Sequence, residues 1–371
     1  MSAQLPAHLA GVVSLADFEP IARLAMEPGA FDYVAGGAWD EVTLAENEAA
    51  WRRYRLRPRV LVDVSRLDPS TTMLGQATTL PLAIAPMAAH GLAHPDGEAA
   101  TARAAAAAGV PFILSTMSTC SMEEVATAAP DGVRWFQLYT QADPGRTREL
   151  VQRAEAAGYG AIVLTVDLPL LGYRERDRRS GFELAGPLGN LVADQGEAPI
   201  TDERPMDGFA HLERQLLASL SWDDLATIRG WSSLPLVIKG VMTGEDARIA
   251  QDHGVDAIVV SNHGGRQLDR VPAAIDVLGE VVAAVGGNTE IWVDGGVRRG
   301  LDLVIARAMG ARGVLIGKPI LWALAVGGQA GVERALGILR EEFEIGLALL
   351  GAPTTDDIGP SHLATAGVPA V

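Results

Sequence analysis

Residues 290–319 read EIWVDGGVRRGLDLVIARAMGARGVLIGKP. Two short apolar runs, at 290–296 and 313–318, each end in glycine beside a basic residue: DGGVRRG at 294–300 and GKP at 317–319. Backbone amides at such turns, with a nearby cation, form an anion site. In a (β/α)8 barrel a phosphate is held after the last two strands. The stretch therefore predicts the closing strands of a barrel. An open doubly wound sheet would instead carry its glycine fingerprint after the first strand.

Working outward, six more short apolar runs precede these two. They fall at 80–87, 111–116, 133–139, 160–167, 235–241 and 257–263. Near-continuous apolar runs of this length predict parallel strands buried on both faces. Helical stretches at 97–109, 145–158 and 244–254 alternate with them, and each stops at a glycine. The strand starts step by 31, 22, 27, 75, 22, 33 and 23 residues, so only the fourth step is long. The expected fold is α/β, a (β/α)8 TIM barrel over 80–371 with C-terminal helices. A long loop at 175–220 follows the fourth strand, and residues 1–79 form an N-terminal helical segment that packs on one barrel end. Ser14 with Asp17, and Thr43 with Glu46, have the spacing of helix-capping boxes in that segment.

Composition narrows the function classes. There are 30 Lys and Arg against 46 Asp and Glu, a net charge of −16. Nucleic acid and anionic membrane both demand a basic face, so neither is expected as a partner. One cysteine, Cys120, excludes a disulfide framework and a multi-cysteine metal site. No apolar run reaches the roughly 18 residues that span a bilayer. The first basic residue is Arg23, so the charged start of a secretory signal is missing and a cytoplasmic location is expected.

Barrel chemistry sits at the C-terminal strand ends. The first strand ends at Met87, Ala88, Ala89 and His90, and the second at Ser115, Thr116 and Met117. The third carries Gln137 and Tyr139, and the fourth ends in Thr165 and Asp167 with Arg174 beyond. Lys239 lies on the fifth strand, and the sixth ends in Ser261, Asn262 and His263 with Arg266 following. The last two contribute Asp294, Gly296 and Arg298, then Gly317 and Lys318. An acidic chain has thus sorted Arg174, Lys239, Arg266, Arg298 and Lys318 to one end. That points to an anionic ligand with a phosphate.

His263 is the natural general base, because imidazole titrates near neutrality. Asp167, on the neighbouring even-numbered strand, can orient it. His211 and His253 have no such company and read as structural. His90 and His94 have the spacing of a helical metal pair, but Gly91 and Pro95 argue against a continuous helix, so no metal is expected. Lys239 could form a Schiff base or stay charged beside a bound anion.

The segments SNHGGRQLD (261–269), DGGVRRG (294–300), FQLY (136–139), LTVD (164–167) and VIKG (237–240), with FDYVAGGA (31–38) and RPRVLVDVS (57–65), resemble the FMN-dependent L-2-hydroxy-acid oxidase and dehydrogenase family. That family holds glycolate, lactate and mandelate oxidases, and the resemblance runs from about residue 14 to 358. It implies FMN at the barrel mouth and oxidation of a small L-2-hydroxy acid to the 2-oxo acid. O2 is the implied acceptor, with H2O2 released, in a homotetramer or homo-octamer. His263, Asp167 and Tyr139 become catalytic; Tyr33, Arg174, Arg266 and Met117 meet the substrate. Met87, Ala88, Ser115, Gln137, Thr165 and Lys239 surround the flavin, with Ser261 nearby. Asp294, Gly296, Arg298, Gly317 and Lys318 hold ribityl and phosphate.

Three positions vary within the family. Lys318 stands where arginine is common, and Met117 where glycolate oxidase has tryptophan. Ala88 is oxidase-like, whereas acceptor-linked dehydrogenases often have glycine there. The rival readings are a dehydrogenase with a quinone or protein acceptor, a Schiff-base aldolase on Lys239, and a non-catalytic flavin-binding barrel.

Overall fold

The computed structural model describes residue 6 and residues 9–184, 188–191, 218–287 and 289–364. Eight parallel strands close into a barrel: β1 (Leu82–Ile84), β2 (Phe112–Ser115), β3 (Arg134–Leu138), β4 (Ile162–Thr165), β5 (Leu236–Val241), β6 (Ala257–Val260), β7 (Glu290–Val293) and β8 (Gly313–Ile316). Each strand pairs with its neighbours in chain order, and β8 returns to β1. Every expected strand is present. Most stop a few residues before the apolar run does, and the loop beyond each strand carries the polar residues.

The helices that alternate with them include α4 (Gly97–Ala108), α5 (Met122–Ala128), α6 (Pro144–Ala156), α7 (Glu175–Ser180), α8 (Asp224–Arg229), α9 (Gly244–Asp252), α10 (Ala274–Val285) and α11 (Gly300–Ala308). The last, α12, runs Lys318–Leu350 and is broken at Gly327 and Gly328. The alanine-rich face of α4 buries Ala100, Ala104 and Ala105, letting α12 pack close against it.

Side chains alternate across a strand, which divides the barrel interior into layers. The lower layers are apolar, with Ala83, Ile113, Val163, Val237, Val259 and Leu315 around two indoles. Trp135 of β3 and Trp292 of β7 stack across the centre, 4.9 Å apart and 7° from parallel. The same period of two lifts Gln137, Thr165, Lys239, Ser261 and Asp294 into the layer above, where all are buried.

The segment ahead of the barrel reaches both of its ends, not one. Helices α1 (Phe18–Ala25), α2 (Pro28–Ala35) and α3 (Val42–Trp51) lead it, and α2 and α3 reach the C-terminal mouth. A hairpin, Thr71–Met73 with Gln76–Thr78, closes the bottom. Met73 enters the interior cluster, Gln76 accepts from the Trp135 indole at 2.9 Å, and the Leu74 amide donates to Glu290 at 3.1 Å. The Asp17 carboxylate does reach back to the Ser14 amide at 2.8 Å. Thr43 and Glu46 make no cap: α3 begins at Val42, Thr43 donates to the Val271 carbonyl, and Glu46 pairs with Arg53.

Of the loop expected at 175–220, α7, residues 181–184 and 188–191, and the end at 218–220 are described. His211 and the chain end Pro369–Val371 lie outside the described residues. Among the described residues, no helix is long and apolar enough to cross a membrane.

Candidate active site

A cleft of about 1200 Å³, counting the solvent at its mouth, opens above the polar layer. Tyr33, Met87, Ala88, Ser115, Met117, Tyr139, Arg174, Lys239, His263 and Arg266 line one stretch of it. Asp294, Gly296, Arg298, Gly317 and Lys318 line the rest. Asp167, Gln137, Thr165 and Ser261 sit in the shell beneath. The residues expected to meet substrate and FMN therefore converge on one place.

His263 follows β6 with φ of 59°, a left-handed conformation that a non-glycine residue adopts only when held there. The Ser261 hydroxyl accepts from its amide at 3.1 Å. Its Nδ1 lies 2.9 Å from Asp167 Oδ1. A carboxylate only accepts, so Nδ1 carries the proton and Nε2 is left as a lone pair. The Tyr139 hydroxyl donates towards that lone pair at 3.4 Å.

Burial lowers the His263 pKa and Asp167 only partly restores it, so the imidazole is neutral at pH 7. Burial pushes the Asp167 carboxyl up, but His263 and Lys239 outweigh it and the net shift is down. Burial, followed by Asp167, raises Tyr139, which stays protonated. The arrangement is an imidazole with a free ring nitrogen, a carboxylate on its other nitrogen and a hydroxyl donor.

Asp167 fits only because residue 240 is glycine. β5 bulges between Lys239 and Val241, and Gly240 takes φ of +118°. A Cβ there would lie 2.7 Å from the Asp167 Cβ. Gln267 braces the same corner by donating to the carbonyls of Asp167 at 2.9 Å and Leu170 at 2.8 Å.

The cations are held by different means. Lys239 donates to Ser261 at 3.1 Å and pairs with Asp294 at 3.3 Å. Arg266 spends one nitrogen on the carbonyls of Tyr33 at 2.6 Å and Gly36 at 2.8 Å. Lys318 donates to Ala35 at 3.0 Å and Gly36 at 3.1 Å. Burial lowers Arg266 to about 10, with Arg174 adding to it, and burial drives Lys318 well below its usual range. Arg298 is paired with Glu48 at 2.5 Å.

The sequence pattern of the FMN-dependent dehydrogenase family matches residues 22–365. The chain belongs to that family. It is 50% identical over 356 residues to an L-lactate oxidase of Nostoc sp., covering 95% of this chain and 98% of that one. It is 46% identical to a glycolate oxidase of Spinacia oleracea over 355 residues, covering 95% and 96%. A mandelate oxidase crystal structure superposes with a TM-score of 0.88 at 42% identity, covering 96% of this chain and 99% of that one.

FMN is the family's cofactor, and the cleft fits it. Asp294 Oδ1 is buried without a hydrogen-bond partner. Such an oxygen is costly, by about 1–3 kcal/mol, unless a donor reaches it. The hydroxyls of a ribityl chain are such donors. At the turn after β7, Gly295 and Gly296 take φ of +88° and +78°, and a Cβ on Gly296 would lie 1.9 Å from the Asn47 carbonyl oxygen. Arg298 and Lys318 line the cleft beside this turn.

Several site residues left no mark in the sequence. Leu44 and Glu48 of α3 line the cleft, as do Leu168 and Leu171 beyond β4. Asn47 and Asn262 exchange amide hydrogen bonds at 2.8 and 2.9 Å, docking α3 onto the segment that follows β6. Asn262 lay beside the His263 motif, and nothing local marked Asn47. Among the described residues, no other histidine lines the cleft. His90 is buried against Thr101 at 3.0 Å, and His253 stacks on Trp222 at 5.9 Å. His94 accepts from the Asp96 amide at 3.1 Å.

Proposed function

We propose that the protein oxidises a small L-2-hydroxy acid to the 2-oxo acid and passes the electrons to O2, releasing hydrogen peroxide. The observation that carries this is the neutral His263, oriented by Asp167, in one cleft with Arg174 and Arg266. Bound FMN supplies the two-electron acceptor for the hydrogen on the substrate Cα.

The chain's own residues do the rest. Arg174 and Arg266 fork onto the substrate carboxylate, with Tyr33 beside them, and fix its orientation. His263 Nε2 takes the hydroxyl proton, and Asp167 stabilises the imidazolium that forms. Tyr139 donates to the substrate oxygen. Met117 bounds the substrate side chain.

Met87, Ala88, Ser115, Gln137 and Thr165 form the seat of the flavin ring. Ser115 donates to Gln137 at 3.1 Å and Gln137 to Thr165 at 3.0 Å, so that seat is pre-arranged. Lys239, steadied by Ser261, would hold a positive charge beside the flavin and so favour its accepting electrons. Asp294 and Gly296 meet the ribityl chain, and Arg298, Gly317 and Lys318 meet the phosphate.

The Lys239–Asp294 pair counts against a Schiff-base role, because an imine forms only on a free amine. A homotetramer or homo-octamer, as the family resemblance implies, is part of the proposal. A cytoplasmic location is part of the proposal, and the free Cys120 is compatible with a reducing compartment.

The test is a panel of glycolate, lactate, longer aliphatic acids and mandelate, mixed anaerobically with purified protein. One of them should bleach the yellow chromophore, and admitting air should restore the colour with one peroxide per turnover. Chromatography of the released chromophore should give FMN. FAD, or a chromophore that no L-2-hydroxy acid bleaches, overturns the reading.

A further inference from the structure

Met117 lies just beyond β2 and is buried among the residues that line the cleft. A methionine in water samples many rotamers, so its backbone must be fixed before it can define a pocket wall. Part of that fixing is local, the Met117 amide donating to the Ser115 hydroxyl at 3.1 Å, and part comes from outside β2. Asn190, in the loop after β4, is buried and uses both ends of its amide. Its Nδ2 donates to the Ser118 hydroxyl at 2.8 Å and the Ser115 carbonyl at 3.1 Å. The Thr116 carbonyl also accepts from it, at 3.5 Å. Its Oδ1 accepts from the Met122 amide at 2.8 Å. Residues 115, 116 and 118, on both sides of Met117, are therefore gripped by one side chain.

The grip depends on close approach. The Gly189 amide donates to the Ser118 carbonyl at 3.0 Å, and a Cβ on Gly189 would lie 2.3 Å from the Ser121 nitrogen. Arg153 of α6 donates to the Asn190 carbonyl at 3.1 Å and pairs with Glu123, which anchors the latch from behind. From the other side the Met117 carbonyl accepts from the Ala89 amide at 3.0 Å. Asn190 itself does not line the cleft.

We propose that Asn190 is a specificity-determining residue that acts through Met117: the loop after β4, latched onto β2 by this amide, sets the width of the pocket for the substrate side chain. Only an amide serves. An aspartate could accept from Met122 but could not donate to the carbonyls, and an alanine would leave buried acceptors unpaired. The inference rests on the 2-hydroxy-acid reading of the site.

The experiment compares Asn190→Ala, Asn190→Ser and Met117→Ala holoenzymes with the unaltered protein, on lactate and mandelate. The readout is the ratio of kcat/KM for the two acids, taken with the FMN content. Asn190→Ala should move the ratio about tenfold or more, chiefly through KM and in the same direction as Met117→Ala. Asn190→Ser keeps one hydroxyl donor and should fall between. The double variant should discriminate no differently from Met117→Ala alone, because the latch then has nothing to position. If Asn190→Ala does not fold, the Asn190→Ser ratio decides. A ratio that stays at the unaltered value, with both acids losing efficiency equally, makes Asn190 merely structural and overturns the proposal. An unaltered enzyme inert to every 2-hydroxy acid overturns the functional reading, and this one with it.

Discussion

Lys318 and Arg266 donate to one acceptor, the carbonyl oxygen of Gly36, at 3.1 and 2.8 Å. Under the proposed assignment, Lys318 would serve the FMN phosphate and Arg266 the substrate carboxylate. The C-terminal carbonyls of α2 carry the negative end of its dipole, which offsets part of the cost of burying both charges. The two ends of the site are therefore set from a single helix terminus.

The first prediction concerns that clamp. Arg266→Met should lower kcat/KM by about 10²-fold or more, because orientation is lost together with charge. Methyl esters of good substrates should be poor with the unaltered enzyme. An ester oxidised as readily as its acid would contradict the assignment.

His263→Ala should slow flavin reduction by about 10²–10⁴-fold with FMN still bound. The pH profile has a sign. Burial lowers the His263 pKa below 6.5, and the neutral form is the active one. The rate should therefore rise with pH through an ionisation below 6.5 and then level off. Asp167 raises that pKa, so Asp167→Asn should move the ionisation to lower pH and depress the plateau. A shift to higher pH would sink the pairing.

Gly240→Ala should disturb Asp167 directly, since the new Cβ would lie 2.7 Å from the Asp167 Cβ at a φ of +118°. Strain of about 1–3 kcal/mol is expected. Thermal unfolding should come earlier, and flavin reduction should fall about tenfold or more. Unchanged kinetics would mean that Asp167 does not need its observed position.

How much of this was legible beforehand depends on where each signal resides. The eight strands were visible because a strand buried on both faces is an apolar run whatever surrounds it. His263, Asp167 and Arg266 were visible because a polar residue at the end of such a run is conspicuous. Asn47, Gln267 and Asn190 act through partners far away in the chain, and polar loop residues look alike until those partners are known. The Thr43 and Glu46 spacing misled for the same reason: Thr43 answers to Val271 and Asp269, not to its own helix. The bottom hairpin escaped because three-residue strands carry too short a period to read.

Ala88, oxidase-like by resemblance, offers a test of the oxidase reading against the dehydrogenase one. Reduced enzyme should reoxidise in air at least as fast as it turns over. Ala88→Gly should change the oxygen rate more than the rate of flavin reduction by substrate. Rapid mixing of reduced enzyme with O2 measures both. Reoxidation far slower than steady-state turnover with a dye would replace O2 by another acceptor.

The contact of Gly296 with Asn47, and of Arg298 with Glu48, joins parts of the chain 250 residues apart. Closing so long a loop is slow, and nothing rewards it until most of the barrel exists. The turn after β7 is therefore expected to mature late, and FMN is expected to bind a finished chain and not to template one. In refolding, quenching of flavin fluorescence should lag behind the recovery of helical circular dichroism, and adding FMN at the start should leave the earlier phase unchanged.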